Sequence, residues 1–233
     1  MITLGLFRIS DFSENILLIS LQQKPGEVEL TDLFFSLSEH LRSTKKWIEV
    51  VSGEDSLIVK YNLFKTNNGK AKEDLERQVR DFNYREQKKA ANVLTVPICY
   101  SEEFALDIQD LKTSNSLSSQ DIAELHSSHT YKVKMIGFTP GFAYLGELSQ
   151  DLLMPRHSAP RLYLPPGSIG ITGKRTGIYP LGGPGGWQII GCSPMSLFDS
   201  NSENPFRLLT GMQVKFVPIS SDQFQEYRTQ NKQ

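Results

Sequence analysis

The residues best suited to chemistry are four cations and four aromatics set among glycines and prolines. Arg156, Arg161, Lys174 and Arg175 share residues 137–194 with Tyr144, Tyr163, Tyr179 and Trp187. That stretch holds 12 of the 17 glycines and 8 of the 12 prolines, a density that excludes a helix. Gly opens positive φ and close backbone approach, while Pro locks φ and removes a donor. Guanidinium forks match carboxylates and phosphates, and N–H groups bared by Gly-rich turns add anion donors. The segment reads as a pocket for a small, planar, anionic ligand, or as a grip for an acidic surface on a partner. A plainer reading stands beside it at equal weight: Gly and Pro shape the corners of a β structure, and the cations are solvated. From Leu152 to Phe198 there is no Asp or Glu. The segment therefore carries no carboxylate of its own to serve as a general base. His126, His129, Glu124 and Glu147 flank it without matching a dyad spacing, so a missing acid/base or nucleotide group would come from another polypeptide of a complex.

Other chemistries fail on spacing. Gly167–Arg175 (GSIGITGKR) is one residue too long for a phosphate loop, puts Arg175 where Ser or Thr belongs, and runs into Thr176–Pro180 rather than a helix. Gly182–Gly186 (GGPGG) lacks the spacing and the helix of a dinucleotide fingerprint. The four histidines are His40, His126, His129 and His157. His126 and His129 could share one side of a helix end, but no carboxylate cluster or cysteine pair accompanies them, so a capping or hydrogen-bonded histidine is favoured over a metal ligand. No G-x-S-x-G elbow is present. Cys99 reads as core. Cys192, in a Gly-Cys-Ser-Pro turn, reads as a buried thiol, inert unless Arg156 or Lys174 lies close.

The elements that must position these residues fall into two halves. Ile2–Ile9 and Asn15–Leu21 alternate as strands, Glu29–Arg42 carries one apolar stripe at helical spacing, and Trp47–Val51 and Ser56–Tyr61 form a strand pair across Gly53-Glu54-Asp55. Asn68-Gly69 breaks the chain before a second amphipathic helix, Lys72–Tyr84. Val93–Tyr100 is a strand that Pro97 confines to an edge. The order ββαββαβ predicts helices on one face of an antiparallel sheet. Beyond residue 100, Glu102–Leu111 and Ser119–Ser127 read as short helices, the second capped by Ser118. From Lys132 onward only short strands and turns follow, at 131–138, 161–165, 168–172, 188–191 and 213–219, which predicts a closed or sandwiched β structure. Tyr227–Gln233 reads as frayed.

Composition narrows the class. A hydrophobic content of 39% and a charged content of 22% over 233 residues suit a packed core in one or two domains. A net charge of −1 argues against a general nucleic-acid binder. Two distant cysteines make no disulfide scaffold and suit a reducing, cytoplasmic setting. Acidic Asp11 and Glu14 interrupt the N-terminal apolar residues, so neither a signal peptide nor a membrane span is expected.

The motifs, taken in order, resemble one family. They are Val96–Tyr100 (VPICY), Leu125-His126-Ser127, Tyr131-Lys132-Val133, Gly137–Gly146 (GFTPGFAYLG), Pro155-Arg156, Pro160-Arg161, Pro166–Ile171 (PGSIGI), Thr176–Pro180 (TGIYP) and Pro184–Trp187 (PGGW). Together they are similar to the family of KipI and the 5-oxoprolinase B subunits, also called allophanate hydrolase subunit 1. The resemblance spans most of residues 93–220. It implies an α+β N-terminal domain over 1–95, a mostly-β cyclophilin-like barrel over 96–222 and a polar tail over 223–233. It implies substrate-binding roles for His126, Phe138, Pro140, Phe142, Tyr144, Arg156, Arg161, Tyr179, Gly185, Gly186 and Trp187, no metal, and no cofactor held by this chain alone. It further implies two partners, a KipA-type protein (the 5-oxoprolinase C subunit) and a LamB/YcsF-type protein (the A subunit). Their complex cleaves 5-oxo-L-proline to L-glutamate with ATP. Relatives of this type also inhibit a sensor histidine kinase, or form half of a urea-carboxylase-like carboxyltransferase. 5-Oxoproline is a planar lactam with one carboxylate, which suits the cationic, aromatic segment. One position departs: the family's Gly-Arg-Thr-Pro turn is here Gly191-Cys192-Ser193-Pro194, which implies altered anion binding or a chain kept for regulation.

Overall fold

Alternation sets the first sheet, and a 3.6-residue repeat sets the helices that cover it. The computed structural model describes residues 6–23, 29–84 and 93–230. The chain divides into two units, Met1–Ala90 and Ala91–Gln233. In the first, β1 (Phe7–Ser13), β2 (Ile16–Leu21), β3 (Glu49–Ser52) and β4 (Ser56–Lys60) form an antiparallel sheet in the order β1-β2-β4-β3. Its alternate residues Leu17, Ile19, Leu57 and Val59 are buried with Leu33, Phe34, Leu37 and Leu41 of α1 (Leu30–Ser43) and with Leu75 and Val79 of α2 (Asn68–Asp81). The strand expected over Ile2–Ile9 falls partly outside the described residues, and one expectation is corrected. Residues 1–5 lie outside the described residues, and β1 begins at Phe7, in register with Leu21. Asn68-Gly69 opens α2 instead of breaking the chain, because the Asn67 side chain accepts the Lys70 N–H and caps the helix.

The second unit is built on a curled, half-barrel sheet. Its strands are β5 (Val93–Ile98), β6 (Thr130–Ile136), β7 (Ala143–Gly146), β9 (Ser168–Thr172), β10 (Arg175–Ile178), β12 (Gln188–Cys192) and β13 (Gln213–Pro218), in the order β12-β9-β10-β7-β6-β13-β5. All neighbours are antiparallel except β13 and β5. A two-stranded ribbon, β8 (Arg161–Leu164) with β11 (Gly183–Gly185), stands apart from it. Inside the curl, Val96, Ile98, Val133, Leu145, Ile169, Ile171, Ile190 and Phe216 are almost fully buried. Edge strand β5, as Pro97 requires, belongs to this sheet and not to the N-terminal one; it pairs in parallel with β13 across Pro97 and Val217.

Helices cover this sheet. α4 (Ser119–Ser128) starts at a capping box in which Ser118 and Asp121 exchange hydrogen bonds. α3 spans Ile108–Asn115, later than predicted, because residues 102–107 turn to bring Asp107 to the helix start. Where a polar, frayed end is expected, Ser221–Gln230 forms α5, anchored by buried Phe224, whose ring lies 4.2 Å from that of Phe104. β7, β10 and β11 escape the pattern because their glycines read as turns.

The two edges of the half-barrel touch at one place. Cys99 and Cys192 exchange backbone hydrogen bonds of 2.9 and 3.0 Å, joining the end of β5 to the end of β12. Gly191 permits this approach: a Cβ there would stand 2.7 Å from the Cys99 carbonyl oxygen and 2.9 Å from the Ile98 Cγ2. Gly191→Ala is therefore expected to cost about 1–3 kcal/mol through overpacking. Urea unfolding would read this as a lowered midpoint at unchanged m value, and an unshifted midpoint would contradict it.

Candidate functional site

Packing of rings against glycines builds the site. Phe142, Tyr179 and Trp187 are buried, with Tyr144 partly exposed beside them. Phe142 lies 4.9 Å from Tyr179, 5.5 Å from Trp187 and 4.8 Å from Tyr144, all edge-to-face. Gly177 makes the room, since a Cβ there would meet both the Phe142 and Trp187 rings at 3.0 Å. Gly185 does the same under Tyr179, whose hydroxyl would lie 2.7 Å from an added Cβ. Phe138, 61% exposed at φ +70, stands at the rim with its ring 5.6 Å from Phe142. A bulky residue at positive φ is strained, and such strain persists where the surroundings fix it. Here the Gly137 N–H donates to the Phe142 carbonyl at 3.1 Å and closes the loop that carries exposed Pro140.

Arg156 is placed by its neighbours. Gln188 Nε2 donates to the Pro155 carbonyl at 3.1 Å, and the His157 N–H donates to the Gly186 carbonyl at 2.8 Å. These two bonds lay residues 155–157 along Gly186–Gln188, so the exposed Arg156 guanidinium acts on both tyrosines. Burial pushes the Tyr179 hydroxyl up to about 12, and the Trp187 backbone N–H and then Arg156 pull the other way. Tyr144 is raised by burial and lowered by Arg156. Among the described residues no carboxylate pairs with Arg156. The result is a shelf of aromatic faces and edges with a cation at its border, able to hold a flat anion.

Arg161 is held by a buried carboxylate. Its Nη1 donates to Asp107 Oδ2 at 3.0 Å and its Nη2 to Asp107 Oδ1 at 2.5 Å. Asp107 is 3% exposed and also accepts the Ile189 N–H at 2.6 Å. His157 Nε2 joins this cluster, 2.9 Å from Arg161 Nη1 and 3.2 Å from Asp107 Oδ1. The acid-free segment thus meets a carboxylate from the start of α3. Asp107 and His157 are the residues that sequence reasoning missed. The one available signal was the acid-free stretch itself, which left its cations without a carboxylate of their own.

His126 is likewise not part of the shelf. It is fully buried on α4, stacked on Phe216 at 4.6 Å. Thr176 Oγ1 donates to the Gly170 carbonyl at 3.2 Å, so it accepts from His126 Nε2 at 2.8 Å, and the Tyr100 hydroxyl donates to Nδ1 at 2.8 Å. Every polar atom of the ring is satisfied in the neutral form, and burial lowers its pKa to about 3. Cys192, buried, is pushed up to about 12; the cation that opposes this is Arg228 of α5 and neither Arg156 nor Lys174. Gly167–Arg175 is the β9–β10 hairpin, not a phosphate loop. Among the described residues no three His, Cys, Asp or Glu side chains gather as metal ligands, and no helix is long and apolar enough to cross a membrane.

The half-barrel with its Gly-lined aromatic shelf is of the carboxyltransferase-domain class. Residues 7–208 match the model of the carboxyltransferase domain, subdomain C and D, and the chain belongs to that family. It is 40% identical over 139 residues to the B subunit of 5-oxoprolinase from Bacillus subtilis, covering 60% of this chain and 58% of that protein. It is 35% identical over 213 residues to the B subunit of 5-oxoprolinase from Haemophilus influenzae, covering 90% of this chain and 96% of that one. A weaker likeness, 26% over 125 residues, links 48% of this chain to 7% of the urea amidolyase of Lachancea kluyveri. Among solved structures, TTHA0988 superposes with a TM-score of 0.74 at 27% identity over 88% of this chain and 40% of its own. PH0987 from Pyrococcus horikoshii gives 0.55 at 36% identity over 93% of this chain and 100% of its own.

The His126 pKa, about 3 when folded against the ordinary 6.5, has a definite sign for stability. The unfolded chain binds the extra proton between these values, so the contribution is fully present above pH 6.5 and is lost as pH falls toward 3. Between neutral pH and pH 4.5 this amounts to about 2–3 kcal/mol. Urea titrations at the two pH values should show a loss larger by about that much in the wild type than in His126→Gln. Equal losses would contradict a neutral, buried His126.

Proposed function

We propose that this chain is the B subunit of an ATP-dependent 5-oxoprolinase and that it binds 5-oxo-L-proline on the Arg156 shelf. The observation that carries the reading is the exposed Arg156 guanidinium, without a carboxylate partner among the described residues, beside Tyr144, Tyr179 and Trp187. A guanidinium suits the one carboxylate of the substrate, and ring faces and edges suit its flat lactam. Among the site residues expected from sequence, Phe138, Pro140, Phe142, Tyr144, Arg156, Tyr179, Gly185, Gly186 and Trp187 are retained. Arg161 becomes a positioning residue through Asp107, and His126 a core residue. The names of the Bacillus subtilis and Haemophilus influenzae relatives support the same reading.

The half-barrel is taken as the working face of a cyclophilin-like barrel. ATP is handled by the assembled complex in the cytoplasm, with a KipA-type C subunit and a LamB/YcsF-type A subunit as partners. Phe138, Leu162, Tyr163 and Leu181 are large apolar side chains left exposed around the shelf and the β8–β11 ribbon, the kind of surface a protein interface covers. A second reading, half of a carboxyltransferase, draws on the family description and the urea amidolyase likeness, and it needs a separate biotin carrier.

Reconstitution with the partner proteins should release L-glutamate from 5-oxo-L-proline only in the presence of ATP. Arg156→Ala should then lower kcat/KM by about 10–100-fold, the loss of a charged hydrogen bond of ~1.5–3 kcal/mol, mainly through KM. An unchanged kcat/KM would remove Arg156 from the substrate, and biotin-dependent carboxyl transfer by the set would favour the second reading.

A further inference from the structure

A cavity of about 360 Å³ opens between α5, the turn at residues 103–106 and the Pro165–Ser168 and Cys192–Ser196 turns. It is separate from the aromatic shelf in its lining, which includes neither Arg156 nor Trp187. Its apolar wall is the pair of rings Phe104 and Phe224, 4.2 Å apart, backed by Pro165 and Pro166. Two opposite charges line it, Glu103 and Arg228, both exposed. Neither forms an ion pair with the other or with any described residue; the Arg228 guanidinium instead sits 5.8 Å from the Phe224 ring centroid. Burial keeps the Cys192 thiol in the wall uncharged at neutral pH.

An acid and a base that line one cavity of mixed polar and apolar character without bridging each other suit a ligand that carries both charges. A lone anion would leave Glu103 repelling it, and a lone cation would leave Arg228 doing so. A zwitterion satisfies both at once, and the rings take whatever apolar body joins them. Arg228 lies on α5, beyond residues 7–208, the span that matches the family model.

We propose that this cavity is a binding site for a free α-amino acid with an apolar side chain. Arg228 takes the α-carboxylate, Glu103 takes the α-ammonium, and Phe104 and Phe224 pack against the side chain. The site goes beyond the 5-oxoprolinase reading, and binding is measured on this chain alone.

Isothermal titration calorimetry of the full chain with L-phenylalanine tests it, with 3-phenylpropionate, phenethylamine and L-glutamate as parallel arms. Saturable binding of L-phenylalanine is expected, with each analogue lacking one charge at least tenfold weaker, a loss of about 1.4 kcal/mol. L-Glutamate should also bind at least tenfold more weakly, because its second carboxylate meets the rings. Arg228→Ala and Glu103→Gln should each weaken L-phenylalanine tenfold or more while leaving the melting temperature of the unliganded chain unchanged, which shows that both variants fold. The proposal is overturned if L-phenylalanine does not saturate at millimolar concentration, or if the single-charge analogues or both variants bind as well as the parent pair. Preference for L-glutamate overturns the assignment of an apolar side chain.

Discussion

The second unit depends on one buried carboxylate. Asp107 accepts two hydrogen bonds from Arg161 and one from the Ile189 N–H, and its own N–H donates to the Ile189 carbonyl at 2.9 Å. A charge this buried persists only when its partners fill its lone pairs, and removing one partner of such a pair costs about 3–5 kcal/mol. Through these bonds the start of α3 is tied to β8 by Arg161 and to β12 by Ile189. Trp187 sits two residues before Ile189, and Arg156 lies alongside it through the bonds at Pro155 and His157. The shelf is thus held from behind by a residue that touches none of its rings.

A second constraint acts at the other end of β12. There the strand meets β5 at Cys99 and Cys192, and Gly191 is the residue that lets the backbones approach. β12 is therefore fixed by a charged node near its start and by a close backbone contact near its finish. Between them, Gln188–Cys192 is buried at every position. A strand buried on both faces shows no alternation, and QIIGC has none. The turn that follows this junction carries Cys192 and Ser193 into the wall of the α5 cavity. Arg228 of α5 acts on the Cys192 thiol at this turn.

Periodicity made the N-terminal elements legible. The stripe Leu33, Phe34, Leu37 and Leu41 is the buried face of α1, and alternation in β2 and β4 is the buried face of the first sheet. The density of glycine and proline marks the stretch that builds the aromatic shelf, because rings packed this closely need backbone without Cβ atoms beneath them. The same density hid β7, β10 and β11; Gly177 of β10 and Gly185 of β11 serve ring packing, and Gly146 of β7 makes room for the Arg175 guanidinium. Charge was harder to read. Arg156 and Arg161 look alike in sequence, five residues apart in similar Pro-Arg pairs. Only the fold separates the one that faces outward from the one spent on Asp107, 54 positions away. His126 misled for a related reason: its motif marks a core hydrogen-bond network running from Tyr100 to Thr176, which no local spacing announces.

The claim that Asp107 and Arg161 act as one structural unit is tested most directly by a double-mutant cycle on stability. Asp107→Ala, Arg161→Ala and the double variant would be unfolded in urea beside the wild type. A pair coupled as described gives an interaction energy above about 2 kcal/mol, because either single change strands the other partner's charge while the double change does not. Losses that add to within ~0.5 kcal/mol would contradict it and leave the position of the shelf without its support.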